Sequence, residues 1–251
     1  MPSTTPVLQP PPDRFSPYWR QSRQPLASLI FVAPLLVLYE GGMLISGPQA
    51  LRNGADVWLR QLLDLLGFGQ FFLLPVLTAV ILLAWHHTTG SPWRMAPSVF
   101  YGMLAESAVL SICLVILARL QGELLGSLVG LNVSGAPGHG FWSTFLAFVG
   151  AGIYEEVLFR LILLSVVAGL LRMAGAPRAV SMAAGIVLTS LLFSAAHYIG
   201  PHGDGFSAFS FVFRFLAGAF FATLFVLRGF GIAVGAHAGY DILVGLLLRH
   251  A

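Results

Sequence analysis

Glu155 and Glu156 stand side by side in a long apolar run, Phe141 to Leu171, whose only other charge is Arg160. A formal charge at the centre of a membrane helix costs about 2.5–3.5 kcal/mol on insertion scales. Two adjacent carboxylates there need a structural partner or a chemical task. Glu156 and Arg160 are four residues apart with the glutamate first, the favourable order for a pair along one helix face. Glu155 is rotated about 100° away. With no partner on its own helix, it is available as a general base. Two further pairs repeat the four-residue spacing on other apolar segments: Phe193 with His197 in Phe-Ser-Ala-Ala-His, and His237 with Asp241 in His-Ala-Gly-Tyr-Asp. Asp241 can orient the His237 imidazole or share its task. Together these residues suffice for hydrolysis. Glu155 deprotonates a water, His197 holds that water or a metal, and His237 with Asp241 stabilises an oxyanion. One carboxylate and two imidazoles, Glu155, His197 and His237, equally make a catalytic zinc set with an open position. Residue types and spacing leave both routes open.

Such residues need a frame that holds them together inside a membrane. The chain is 57% hydrophobic and 9% charged, against about 25% charged for a soluble domain, and its mean hydropathy is +0.85. The expected architecture is an all-α polytopic transmembrane bundle of about seven or eight spans, since each crossing needs about 20 apolar residues. The candidate spans are Leu26–Ile45, Gln70–Trp85, Val99–Ala118, Phe141–Leu171, Ala179–His197, Ala208–Leu227 and Gly231–Leu248. The fourth is long enough to tilt or to break at Gly150 and Gly152. Residues 55–66 place Asp56, Arg60 and Asp64 along one stripe against Trp58, Leu62 and Leu66, the pattern of a helix lying in the interface. Gln121–Leu131 is a shorter, less regular connector. Gly231, Gly235 and Gly239 recur every four residues, a face that lets a neighbouring helix approach closely. His237 therefore belongs at a helix–helix contact. The chain divides into a disordered Pro- and Arg-containing tail (1–25), N-terminal membrane helices (26–140) and a catalytic membrane core (141–251).

The basic residues are all arginine, and they report orientation. With the N-terminus inside, Arg14, Arg20, Arg23, Arg94, Arg172, Arg178 and Arg228 lie on the cytoplasmic side, and Arg52, Arg60, Arg119 and Arg249 lie opposite. The expected location is the plasma (inner) membrane with a cytoplasmic N-terminus. No basic run clusters with aromatics, so nucleic-acid binding has no footprint. Cys113 reads as a thiol in the helix core. Glu106 and Arg214 read as structural, with Arg214 a possible carboxylate partner. Glu40 can reach the interface from the first span. His86, His87, His139, His202 and His250 fall in loops or at the terminus. Taken singly, each motif has a structural explanation: a Glu–Arg clasp, an interfacial histidine, or a packing hydrogen bond.

Taken together, the motifs fit a family pattern. Glu155-Glu156-Val-Leu-Phe-Arg160 matches EExxxR, Phe193 to His197 matches FxxxH, and His237 to Asp241 matches HxxxN/D. In order and spacing they resemble the CPBP family of type II CAAX prenyl endopeptidases and bacteriocin-processing or Abi proteins, from about Phe141 to the C-terminus. The resemblance implies an intramembrane endopeptidase, of metalloendopeptidase or glutamate type, acting on a membrane-embedded or lipid-modified protein or peptide. It implies Glu155 as the water-activating base, Glu156 with Arg160 as a supporting pair, and His197 as holder of the water or a metal. His237 and Asp241 complete the site. The cofactor is Zn2+, another divalent metal, or none. Asp241 stands where the prenyl endopeptidases typically carry Asn. An ionised Asp repels an oxyanion, so Asp241 must be protonated, orient His237, or bind a cation.

Two other functions fit the same composition: a non-proteolytic membrane scaffold or immunity protein of this fold, and a proton-coupled transporter. The latter class often carries internal repeats, and none is visible. Straight spans with these boundaries place Glu155 roughly 21 Å along its helix and set His197 and His237 toward opposite membrane faces. Bringing them together calls for a fourth helix that starts near Gly150 and a fifth that bends or extends past His197.

Overall fold

The computed structural model describes residues 17–47, 52–68, 72–124, 140–200 and 203–247. These residues form helices α1 (Pro17–Ser22), α2 (Pro25–Ser46), α3 (Gly54–Leu65), α4 (Leu73–Thr89) and α5 (Pro97–Leu124). Then follow α6 (Phe141–Glu156), a π-helical segment (Val157–Leu164) and α7 (Ser165–Met173), which run on as one rod. The remainder is α8 (Arg178–Ala196), α9 (Ala208–Arg228) and α10 (Phe230–Ile242), the last continuing into a second π segment, Leu243–Leu247. No strand occurs among the described residues. The architecture is the expected polytopic helical bundle. Helices α2, α5, α8 and α9 are long and apolar enough to cross a membrane, and α4 and α10 are shorter apolar helices.

These helices are apolar on nearly every face because one side meets protein and the other meets lipid. In α5, Val99, Met103, Ser107 and Ser111 turn inward, whereas Leu104, Val109, Ile112 and Ile116 are exposed. Cys113 is also exposed, so the expected core thiol lies on the outer face of α5.

Helix α10 is the centre of the bundle, packed on α2, α5, α6 and α9. Its glycines permit this. A Cβ on Gly231 would lie 2.9 Å from the Ser28 Cα, and one on Gly235 would lie 2.8 Å from the Phe31 ring. Two serines stitch the same seams: Ser28 Oγ accepts from the Gly231 N–H at 2.9 Å, and Ser111 Oγ donates to the Ala236 carbonyl at 2.9 Å. The glycine ladder therefore serves close packing as expected. Gly150 and Gly152 serve it too, and the helix does not break at either. A Cβ on Gly152 would come within 2.6 Å of the Ala238 Cβ.

Most of the expected tail, 1–16, lies outside the described residues, and its end forms α1. Tyr18 Oη donates to Glu106 at 2.5 Å, and burial, reinforced by Glu106, pushes that hydroxyl's pKa up to about 12. Arg228 grips Glu106 with Nε and Nη2 at 2.5 and 2.7 Å, reaches Ser22 Oγ at 2.9 Å, and stacks on Trp19 at 3.6 Å. Arg228 is thus a buried tie between α9, α5 and α1 and not a loop charge. His86 is likewise inside α4, fully buried against the edge of Trp93.

Helix α3 forms where the amphipathic pattern predicts it, but two residues of its polar stripe, Asp56 and Arg60, turn inward, while Asp64 is exposed. Asp56 is fully buried. It accepts from Tyr39 Oη at 2.9 Å, Arg52 Nη1 at 2.7 Å and Arg60 Nε at 2.6 Å. Leu62, Leu65 and Leu66 face outward. Glu40, expected to reach the interface, is instead buried and bonded to Arg60 Nη2 at 2.8 Å and to the Tyr154 hydroxyl. Of the connector expected at Gln121–Leu131, the first four residues belong to α5 and the rest lie outside the described residues.

Candidate active site

Two tight helical hairpins bring the three motifs to one level. The rod Phe141–Met173 turns at Ala174–Pro177 into α8. Counting equally back from that turn places Glu155 opposite His197. Gly229, at φ 91°, turns α9 into α10, and counting out from it places Phe221 opposite His237. Those two rings stack at 4.4 Å with 12° between their planes. The expected conflict of depth is therefore absent, without a shortened fourth helix. At 33 residues' worth of 1.5 Å steps, about 50 Å, that rod is much longer than a bilayer's hydrocarbon core of about 30 Å. Its first residues do not mark a membrane face, which is where the depth estimate failed.

Glu156 and Arg160 form the predicted clasp, with 3.0 Å between Oε1 and Nη1 and both side chains buried. The clasp reaches further than spacing revealed. Arg160 Nη2 donates to the Gly218 carbonyl at 3.1 Å, and the guanidinium lies 4.4 Å over the Phe193 ring. Glu156 Oε1 also receives His237 Nδ1 at 2.7 Å. Glu156, not Asp241, thus orients the His237 imidazole. Asp241 Oδ2 stands 3.7 Å from Nε2 on the other side of the ring. Immediately after Glu156 the helix widens into its π segment, and α10 does the same after Ile242. Such π insertions recur at functional sites.

Glu155 is held by one oxygen only. Its Oε1 accepts from Asn53 Nδ2 at 2.9 Å. Its Oε2 is buried without a hydrogen-bond partner and faces His237 Nε2 at 3.7 Å and His197 Nε2 at 3.9 Å. His197 Nδ1 lies 2.8 Å from the Phe193 carbonyl. A carbonyl only accepts, so Nδ1 carries the proton and a neutral His197 presents a lone pair at Nε2. The Phe193–His197 spacing is thereby explained: phenylalanine supplies a carbonyl that sets the tautomer and a ring that packs at 4.9 Å. Two acceptors, Oε2 and Nε2, confront each other too far apart to touch. A water hydrogen-bonded to both satisfies them, and so does a cation.

The metal question turns on that volume. Glu155 Oε2, His197 Nε2 and His237 Nε2 have the donor chemistry of a catalytic zinc set, and both imidazoles have the outer hydrogen bond such ligands use. Glu155 Oε2 stands farther from each imidazole, at 3.7 and 3.9 Å, than the roughly 3.4 Å that tetrahedral bonds of about 2.0–2.1 Å impose. Among the described residues no group of three or more His, Cys, Asp or Glu is set to hold a metal ion. His197 is the more exposed of the two imidazoles, its side chain keeping 26% of its surface against 5% for His237.

All six residues singled out by spacing converge here. Arg214 pairs with Asp204 across the α8–α9 connection, so it does find a carboxylate. The residue that spacing missed is Asn53. An Asn-Gly-Ala-Asp start announces a helix cap, but nothing local announces that the cap reaches a carboxylate a hundred residues on.

Residues 137–243 match the family model described as type II CAAX prenyl endopeptidase, Rce1-like. All three motifs lie inside the match, and Asn53 lies outside it. No curated protein and no solved structure matches the chain.

Proposed function

We propose, on the likeness of residues 137–243 to type II CAAX prenyl endopeptidases, that this chain is an intramembrane endopeptidase that cleaves a protein or peptide substrate with a glutamate-activated water. The observation that carries the reading is the unpartnered Glu155 Oε2 facing His197 Nε2 and His237 Nε2. A water there donates to Oε2 and to His197 Nε2. Glu155 removes one proton while the water oxygen bonds to the scissile carbonyl carbon, whose π electrons move onto its oxygen. A protonated His237 donates from Nε2 to that oxyanion. Collapse restores the carbonyl and breaks the C–N bond, and the proton held on Glu155 passes to the leaving nitrogen. The products are a carboxyl and an amine terminus, so protons and electrons balance. Glu156 and Arg160 keep the His237 ring in place. Asp241, where an asparagine is typical, stands with Oδ2 3.7 Å from Nε2 on the side of the ring away from Glu156. The protein resides in the membrane, with its N-terminus on the cytoplasmic side.

The decisive test compares quantitative terminal proteomics of membranes carrying wild-type protein or Glu155→Gln. A precursor that accumulates with Glu155→Gln, and whose new termini vanish, is the expected result. Identical membrane proteomes for the two proteins sink the reading and favour a non-proteolytic scaffold. Proton-gradient-dependent uptake into vesicles favours a transporter.

A metal-assisted version is the second reading, favoured by the facing lone pairs of Glu155 Oε2 and His197 Nε2. Glu155, His197 and His237 would hold Zn2+ or another divalent ion, which when bound supplies Lewis-acid activation of water. Retained cleavage after exhaustive chelation, with no metal found by elemental analysis, discards that version.

A further inference from the structure

The N-terminal end of α3 touches the candidate base from outside the family-matched segment. Asn53 caps α3: its Oδ1 accepts from the Ala55 N–H at 2.8 Å, which sets the amide's orientation and turns Nδ2 toward Glu155 Oε1 at 2.9 Å. The rest of α3 is seated by buried ion pairs. Arg60 and Arg52 close on Asp56, and Arg60 reaches Glu40 on α2. Glu40 in turn takes the hydroxyl of Tyr154, the neighbour of Glu155 on α6. Asn53 therefore rides on an element clamped to both α2 and α6.

We infer that Asn53 is a positioning residue for Glu155: its amide pins Oε1 and so aims Oε2 at the water shared with the two histidines. The inference rests on Glu155 being the base. The physical reason is torsional. A glutamate's last torsion is broad and roughly two-fold, so a carboxylate with no donor on either oxygen samples orientations that lose the water. One donor on one oxygen removes that freedom and leaves the other oxygen basic. The cluster Glu40–Arg52–Asp56–Arg60 then has a task besides stability, since it holds the donor at its distance. The N-terminal half of the chain thus supplies part of the site and not only the scaffold around it.

A helix cap by itself makes the opposite prediction, and two substitutions separate them. Asp caps a helix as well as Asn, but its carboxylate offers no donor. Full-length Asn53→Asp keeps the cap but sets a second carboxylate against Glu155. It is therefore read beside Asn53→Ser, which caps without that charge. Both should cleave the precursor identified with Glu155→Gln about 10–100-fold more slowly in kcat, with KM little changed. Asn53→Ser should melt within a few degrees of wild type. A second readout needs no substrate. The infrared difference between the protein with and without Glu155→Gln isolates the Glu155 carboxylate bands. The splitting of those bands should change in both Asn53 backgrounds. Wild-type bands together with wild-type kcat for either variant overturn the inference and leave Asn53 a cap. If Asn53→Asp fails to fold, Asn53→Ser decides alone, because serine caps but is too short to reach Oε1. A fully active Glu155→Gln overturns the underlying reading instead. An inactive Glu155→Gln beside a fully active Asn53→Asp overturns this inference alone.

Discussion

At the scale of single residues, the adjacent glutamates do different work because of the angle between them. Glu155 faces the shared volume, and Glu155→Gln should lower cleavage at least about 100-fold with an unchanged melting temperature, measured on purified protein. Glu156 sits between Arg160 and His237, so its loss should register in two ways. Glu156→Gln keeps a similar shape but weakens the hold on both partners. We expect cleavage about 10–100-fold lower together with reduced thermal stability. Arg160→Ala strands Glu156 in the core, and removing one partner of a buried pair costs about 3–5 kcal/mol. Chemical denaturation of the solubilised protein should show a loss of that order, with partial recovery in Arg160→Lys. The Glu–Arg spacing was legible beforehand because i and i+4 positions share a helix face. The His237–Glu156 bond was not, because nothing local relates two residues on different rods.

At the scale of elements, the site depends on how closely α6 approaches α10. Gly152 sits against Ala238, with no room for a methyl group. Gly152→Ala should push the rods apart, costing about 1–3 kcal/mol by overpacking, and should carry Glu155 and Glu156 away from His237. A fall in both melting temperature and cleavage is expected. By contrast, Gly169→Ala, on the same rod with open space around its Cβ position, should leave cleavage intact. The glycine ladder of α10 was readable from its four-residue recurrence. Helix α3 shows where such reading stops. Its pattern announced an amphipathic helix, but amphipathicity does not say which medium each face meets. In a membrane protein the polar face turns to buried partners when these exist, and here Glu40, Tyr39 and Tyr154 supply them.

At the scale of the whole molecule, two buried ion-pair clusters lie outside the candidate site among the described residues. One joins α2, α3 and α6 beside the site, and the other ties α1, α5 and α9 through Glu106 and Arg228. The first should be coupled to function and the second to folding. Glu106→Gln weakens the Arg228 tie and should lower the thermal stability of the membrane-extracted protein, while leaving the KM of the folded fraction unchanged. Burial of Arg228 also removes it from the arginines counted for orientation, which leaves Arg94, Arg172 and Arg178 to carry the proposed cytoplasmic side. Accessibility of single cysteines introduced at those positions to impermeant reagents in intact cells tests that orientation. Labelling from outside the cell would overturn it.

The amino-acid sequence by itself determined that the chain is an all-helical membrane protein, and which residues could do chemistry. Composition fixes the solvent a helix can tolerate, and a charge in that solvent must have a reason. It also determined the Glu156–Arg160 clasp, since helical geometry alone relates those positions. Only the tertiary structure decided that Glu155, His197 and His237 share one volume. That depends on the register of two hairpins, set by the turns at Ala174–Pro177 and Gly229, and a residue count from an assumed membrane face cannot supply it. The same packing decided that Glu156 bonds the His237 ring at Nδ1, and that Asn53 reaches the site from α3. Contacts between distant segments are set by how helices pack, and the pattern within any one helix does not encode them.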